Sequence, residues 1–365
     1  MSGPPLAICG EALAALRAYH TPPEPAPIKL DANESPWPLP EAARRRLAEA
    51  LAELPLHRYP DGAASELRAA LAARLGARGD ELLLGVGSDE VIGVLMAAFD
   101  RPRPGAARPT VLYPTPTFVM YPITSRVQGF TPIEVPLDDA FDLDVDATCA
   151  AIRAHRPNLV FLASPNNPTG NAFDEDALAA VVAEADDALV VIDEAYAPFA
   201  GRSLGDWVDR HPNVGVMSTL SKIGLAGLRV GWIRMHPALA HEAEKARPPY
   251  NLSLPAQRAA TVALTELAGL LDETVAAIVE AREALGAALA RIEGVRPCPS
   301  RANFFLVEVP DGAAWQAGLL ARGVQVRHFA SVPRLSRHLR ITVGTPEENG
   351  RLVEALEALS AGAIG

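Results

Sequence analysis

NLVFLASPNNPTGNAFDEDALAAVVAEADDALVVID, residues 158–193, opens on one apolar, β-rich run and closes on another. Between them Leu178, Val181, Val182 and Ala185 return at helical spacing, so the segment reads strand, helix, strand. Similar apolar runs recur as TVLY at 110–113, VGVMST at 214–219 and VGWIRM at 230–235. Strands that are apolar on both faces and alternate with helices belong to a mostly parallel sheet between helices, an α/β fold. Upstream, Leu67, Leu71 and Leu75 share one helical face from Ser65 to Leu75, and Gly76 stands where a C-terminal cap belongs. After Pro255 long alanine-rich helices take over, the second with Ile278, Leu285, Leu289 and Ile292 on one face before Gly294. Strands are expected after them at about 302–309 and 339–343. At the start, a helix at about 10–19 runs into TPPEPAPIK, which reads as an extended arm. The reading is therefore an N-terminal arm at 1–35 that joins a smaller α+β domain at 256–365, with a large α/β domain at 36–255.

A chain of 365 residues suits two cores, and 49% apolar with 21% charged residues is enough to build them. A net charge of −11 argues against a nucleic-acid partner, because neutralising phosphates needs a basic face. Any bound anion must be gripped locally. Cys9, Cys149 and Cys298 are odd in number and far apart, which fits a reduced cytoplasmic setting and no metal site. The first 20 residues lack a basic segment followed by a long apolar one, and nowhere do ~18 uninterrupted apolar residues occur, so neither a signal peptide nor a membrane span is expected. Only Lys29, Lys222 and Lys245 are lysines, so 30 of the 33 basic residues are arginine. Guanidinium stays protonated, whereas a desolvated lysine can become a neutral nucleophile. Lys222, in the apolar context MSTLSKIGLAGL, is the candidate for amine chemistry; Lys245, in HEAEKARPP, reads as a solvated helix face.

Three strand ends carry the remaining chemistry. SPNNPTG, Ser164 to Gly170, follows the first strand of the opening segment, and Asn167 there can donate a hydrogen bond outward, or the motif is simply a turn. VIDEAY delivers Asp193, Glu194 and Tyr196, Asp193 being the acid suited to a pyridine nitrogen and Tyr196 either a hydroxyl donor or an edge cover. STLSK sets Thr219 and Ser221 beside Lys222, with Arg229 after a glycine-bearing turn, which together make an anion pocket. In LGVGSDEV, Gly85 and Gly87 permit a tight turn, Ser88 can cap the following helix, and its free N–H groups attract phosphate; an ordinary loop-to-helix junction reads the same way. In LRITVGT, alternation puts Leu339, Ile341 and Val343 on one face and Arg340 on the other, to hold a carboxylate or merely to face solvent.

Together these segments resemble the fold-type I pyridoxal-phosphate-dependent aminotransferases, most closely the histidinol-phosphate aminotransferases. The resemblance runs in family order through LDANESPWP, HRYPDG, GVGSDE, PTPTFVMY, SPNNPTG, VIDEAY, TLSKIGLAGLRVGW and LRITVGT, nearly the whole chain. It implies the fold-type I transferase architecture and pyridoxal 5′-phosphate as cofactor. Lys222 is then the lysine that bonds the cofactor and shuttles protons, Asp193 the partner of the ring nitrogen, and Asn167 and Tyr196 the donors to its phenolic oxygen. Phe118 stacks on the ring, often a tyrosine in the family. Thr219, Ser221, Arg229 and the backbone at Ser88 and Asp89 bind the phosphate, and Tyr59 reaches the phosphate of a neighbouring subunit, which implies a homodimer. For the amino-acid and oxo-acid substrates, Arg340 implies the α-carboxylate clamp and Arg327 a phosphate ligand, with Tyr19, Tyr121 and Asn33 at the substrate pocket. Many relatives place eight residues from the lysine to the arginine; Lys222 to Arg229 is seven, a turn shortened by one.

The function so implied is amine transfer between histidinol phosphate and 2-oxoglutarate. An aromatic or broad-specificity aminotransferase shares every cofactor residue, and a phosphothreonine decarboxylase of the same fold needs the same two anion grips. A cofactor-binding transcriptional scaffold would need an appended DNA-reading helix pair and a basic surface.

Overall fold

The computed structural model describes Gly10, Ala14 and residues 26–362. Cys9, Tyr19 and nearly all of the expected helix at about 10–19 lie outside the described residues.

Seven strands form the main sheet: β2 (Leu82–Val86), β3 (Thr110–Thr115), β4 (Thr131–Pro136), β5 (Leu159–Ala163), β6 (Leu189–Asp193), β7 (Val214–Thr219) and β8 (Val230–Met235). Their order is β2-β8-β7-β6-β5-β3-β4, and only β8 runs against its neighbours. The continuous apolar runs follow from burial on both faces. Val160, Leu162, Val190 and Ile192 pack with the helices Val145–His155 and Glu175–Glu184. The alternate residues Leu159, Phe161, Leu189 and Val191 face the helix Gly87–Ala98 on the other side. The helix of the opening segment starts where Asp174 caps it, the side chain accepting the N–H groups of Asp176 and Ala177. The helix Ser65–Leu75 ends as expected at Gly76, whose φ of 61° a glycine takes without steric cost.

A second, four-stranded antiparallel sheet contains β9 (Arg296–Pro297), β10 (Phe304–Glu308), β12 (Arg327–His328) and β13 (His338–Thr342), in the order β12-β13-β10-β9. Its core includes Phe305, Val307, Leu339 and Ile341 with Leu285 and Leu289 of the long helix Ala268–Leu289. The arm joins this body: β1 (Ile28–Lys29) pairs in parallel with β11 (Val324–Gln325), and Ile28 and Leu30 enter the same core. Among the described residues, no helix is long and apolar enough to cross a membrane.

Candidate active site

Because β5, β6 and β7 are parallel neighbours, their carboxyl ends open on one edge of the sheet, where α/β folds bind ligands. A cleft of about 530 Å³, open mouth included, lies there. Asn167 reaches it from β5, Asp193 and Tyr196 from β6, and Thr219, Ser221 and Lys222 from β7. Arg229 enters from the turn before β8, Ser88 and Asp89 from the start of the helix Gly87–Ala98, and Phe118 from the chain after β3.

One end of the cleft is an anion cradle. Arg229 donates to Ser221 Oγ at 3.2 Å and to the Asp89 carboxylate at 3.0 Å, and Thr219 Oγ1 accepts the Ser221 N–H at 3.1 Å. The first N–H groups of the adjoining helix have no partner within it and point positive charge outward. Two glycines make the approach possible. A Cβ on Gly87 would stand 2.5 Å from the Arg229 guanidinium, and one on Gly231 2.4 Å from the backbone of Gly87 and Ser88. Arg229 follows the 3-10 turn Ala226–Leu228 with a left-handed φ of 53°. Ser88 does not cap the helix as expected. The cap position is Val86, without a side-chain cap, and Glu90 accepts the Val86 N–H at 2.6 Å, so the loop is held by a carboxylate.

At the floor, Asp193 is buried. Its Oδ2 accepts the Tyr121 hydroxyl at 2.7 Å and its Oδ1 the Ala195 N–H at 3.0 Å. Burial raises its pKa, opposed by those two donors and by the charge of Lys222. Tyr121, expected at the substrate pocket, is wholly buried beneath the cleft, stacked on Phe161 at 4.8 Å with Phe118 edge-on at 5.7 Å.

Of the three lysines, Lys29 pairs with Glu34 and Lys245 with Glu242 at 2.5 Å. Lys222 alone lies in the cleft, its Nζ 5.7 Å from the centre of the Tyr196 ring. Above it, Asn167 and Arg340 meet: Arg340 donates to Asn167 Oδ1 at 2.7 Å and to the Asp31 carbonyl at 2.5 Å. With its oxygen so engaged, the Asn167 amide keeps its two N–H groups free to donate. The alternation expected of β13 holds, with Leu339 and Ile341 fully buried on the opposite face. Register sets Arg327 directly opposite Arg340, so both guanidinium groups leave one face of the sheet. Asn33, expected at the substrate, is buried, and its amide donates to the hydroxyl of Tyr196, which lines the cleft. Tyr59 lies apart from the cleft of its own subunit, exposed and stacked on Tyr250 at 4.8 Å.

Sequence reasoning missed Asn166, which is fully buried and ties the SPNNPTG loop to Thr117, Pro116 and Thr169. It is indistinguishable from Asn167 until the loop is folded.

A buried acid, a lone amine, an aromatic face and a tetrahedral anion cradle within one cleft define a site for a phosphorylated pyridine aldehyde, and the donors present fit pyridoxal 5′-phosphate. Residues 25–356 match the family model for aminotransferase class I and II, and the chain belongs to that pyridoxal-phosphate-dependent enzyme family. It is 44% identical over 367 aligned residues to the histidinol-phosphate aminotransferase of Methylibium petroleiphilum, covering 98% of this chain and 97% of that protein. Its fold matches the histidinol-phosphate aminotransferase of Sinorhizobium meliloti, solved in complex with pyridoxal-5'-phosphate, at a TM-score of 0.85 with 24% identity over 98% of each chain. It also matches the L-threonine-O-3-phosphate decarboxylase of Porphyromonas gingivalis at 0.75 with 21% identity, over 91% of this chain and 99% of that one.

Proposed function

We propose that this aminotransferase exchanges the amino group of histidinol phosphate with 2-oxoglutarate, giving imidazole-acetol phosphate and glutamate. The observation that carries the reading is the cross-strand pairing of Arg327 with Arg340 on one face of the small sheet. One guanidinium suits the α-carboxylate of glutamate and the other the phosphate of the imidazole substrate, both as forked, charge-assisted contacts. The identity to histidinol-phosphate aminotransferases over nearly the full chain supports the same choice. When bound, pyridoxal phosphate supplies the electron sink. Ser221, Arg229 and the helix start would hold its phosphate, Phe118 would cover its ring, and Asp193 would hold its ring nitrogen. Lys222 is the amine that would hold the cofactor's aldehyde carbon, and its Nζ is the group that would carry a proton to and from the substrate Cα.

We assign the cofactor to the body at 36–255 and the substrate arginines to the body at 256–365, with the arm bridging them. Tyr59 we assign to the neighbouring subunit's phosphate in a cytoplasmic homodimer; its exposed ring beside Leu56 and Tyr250 supports this.

The deciding experiment compares kcat/KM for imidazole-acetol phosphate, phenylpyruvate and other oxo acids with glutamate as donor, in the natural protein and in Arg327→Ala. We expect the imidazole phosphate to lead and Arg327→Ala to lower it about 10- to 100-fold, the scale of one charged hydrogen-bonded contact. A tenfold preference for phenylpyruvate would retire the substrate assignment and leave the aminotransferase.

A further inference from the structure

We propose that Asn33 is a positioning residue for the cofactor: it fixes the direction of the Tyr196 hydroxyl, so that the proton of this hydroxyl is left for the cleft. The inference rests on the reading that Lys222 holds pyridoxal phosphate.

The geometry at Asn33 is closed on every side. Its N–H donates to Thr342 Oγ1 at 3.0 Å, and its carbonyl accepts the Asn303 side-chain amide at 3.0 Å. A threonine hydroxyl that accepts one hydrogen bond still has a proton to give, and the Thr342 hydroxyl gives it to Asn33 Oδ1 at 3.2 Å. This settles which end of the amide is which. The oxygen end faces Thr342, so the nitrogen end faces Tyr196, to which it donates at 2.9 Å. All four residues are buried, so water does not compete. Asn33 holds a left-handed φ of 55°, a conformation asparagine tolerates better than most residues, and the backbone thus delivers the amide to this spot.

The consequence for Tyr196 is a matter of proton counting. A phenol has one donor and acceptor lone pairs. With Asn33 filling an acceptor position, the proton of Tyr196 remains for the cleft, which its ring lines beside Lys222. A donor there stabilises the anionic form of the cofactor's ring oxygen, so the lysine-linked cofactor gives up its proton at lower pH. The other ionisable groups lining the cleft with Lys222 are Asp193, Asp89 and Arg229, and Arg340 reaches it through its bond to Asn167. The hydrogen bonds of Asn33 go to Thr342, Asn303 and Tyr196.

The test is a spectrophotometric pH titration of the visible band of the cofactor-loaded enzyme, in the absence of substrate. Asn33→Asp replaces the donor with an acceptor that captures the Tyr196 proton, and the midpoint is expected to rise by one pH unit or more. Thr342→Val removes the group that orients the amide without adding charge; it is expected to shift the midpoint the same way by less, and it serves alone if Asn33→Asp does not fold. In the double variant with Tyr196→Phe, Asn33→Asp is expected to add little to the shift of Tyr196→Phe alone. An unshifted midpoint in Thr342→Val, or shifts of Asn33→Asp and Tyr196→Phe that simply add, would overturn the proposal. A natural protein that shows no visible band overturns the Lys222 reading instead.

Discussion

Glu194 follows Asp193 in the sequence, yet the two carboxylates leave β6 in different directions. Asp193 faces the cleft, while Glu194 turns away to accept the Ser203 hydroxyl and the Leu204 N–H, both at 2.5 Å. Burial pushes the Glu194 carboxyl up from 4.5 to about 7, against those two donors. A carboxyl with a raised folded pKa binds protons more tightly in the native than in the unfolded chain. Its contribution is therefore complete below pH 4.5 and is lost as the pH rises through 7. The shift corresponds to on the order of 3 kcal/mol across that window. Glu194→Gln should flatten this part of the stability profile, so that urea midpoints of variant and natural protein converge at pH 5 and the variant leads at pH 8. The same midpoint difference at both values would place the titration elsewhere.

At the scale of elements, the close approach of β8 to the phosphate-cradling helix depends on Gly231. Gly231→Ala puts a Cβ into the backbone of Gly87 and Ser88, where no flexible side chain can yield. We expect a loss of on the order of 1–3 kcal/mol in urea unfolding and weaker capture of pyridoxal phosphate by the apoenzyme. A second junction joins the small sheet to the large one. Arg334 donates to the carbonyls of Leu137 and Asp138 and lies 4.4 Å over the Phe141 ring, whose edge-on neighbour is His338. The Phe141 carbonyl in turn accepts Asn171, which accepts Thr169 of the SPNNPTG loop. Arg334→Ala should cost about 1–2 kcal/mol, read as a lowered unfolding midpoint, and Arg334→Lys should recover only part because a lysine lacks the fork.

These elements differed in how plainly the sequence announced them. The apolar runs of β5, β6, β7 and β8 were legible because burial on both faces leaves no polar interruption. β4, an edge strand written TPIEVP, was not: most of its residues are exposed or half-buried, and two are prolines. β2 was hidden because LLLGV runs straight into a glycine loop. In the site, the strand-end residues were legible since each follows its strand at once. The bond from Tyr121 to Asp193 was not, because it spans 72 positions and only the stacking on Phe161 brings the two together.

For the whole molecule, the exposed rings of Tyr59 and Tyr250 with Leu56 make one apolar patch outside the subunit's own cleft. If a second copy covers it, Leu56→Glu should shift sedimentation from dimer toward monomer and, with Tyr59 withdrawn, weaken phosphate retention in both sites. An unchanged sedimentation profile would move the interface to another face.

The Asn33 ring of hydrogen bonds closes across very distant parts of the chain: Tyr196 lies 163 positions from Asn33, and Thr342 lies 309. Its geometry exists only when the arm, the middle and the last strand are all present. A ribosome that has not yet released residue 342 therefore carries a chain whose Tyr196 hydroxyl is unaimed, however complete its large sheet. Contacts of such long span are slow to close, and the ability to take up vitamin B6 correctly should be among the last properties this polypeptide acquires during synthesis.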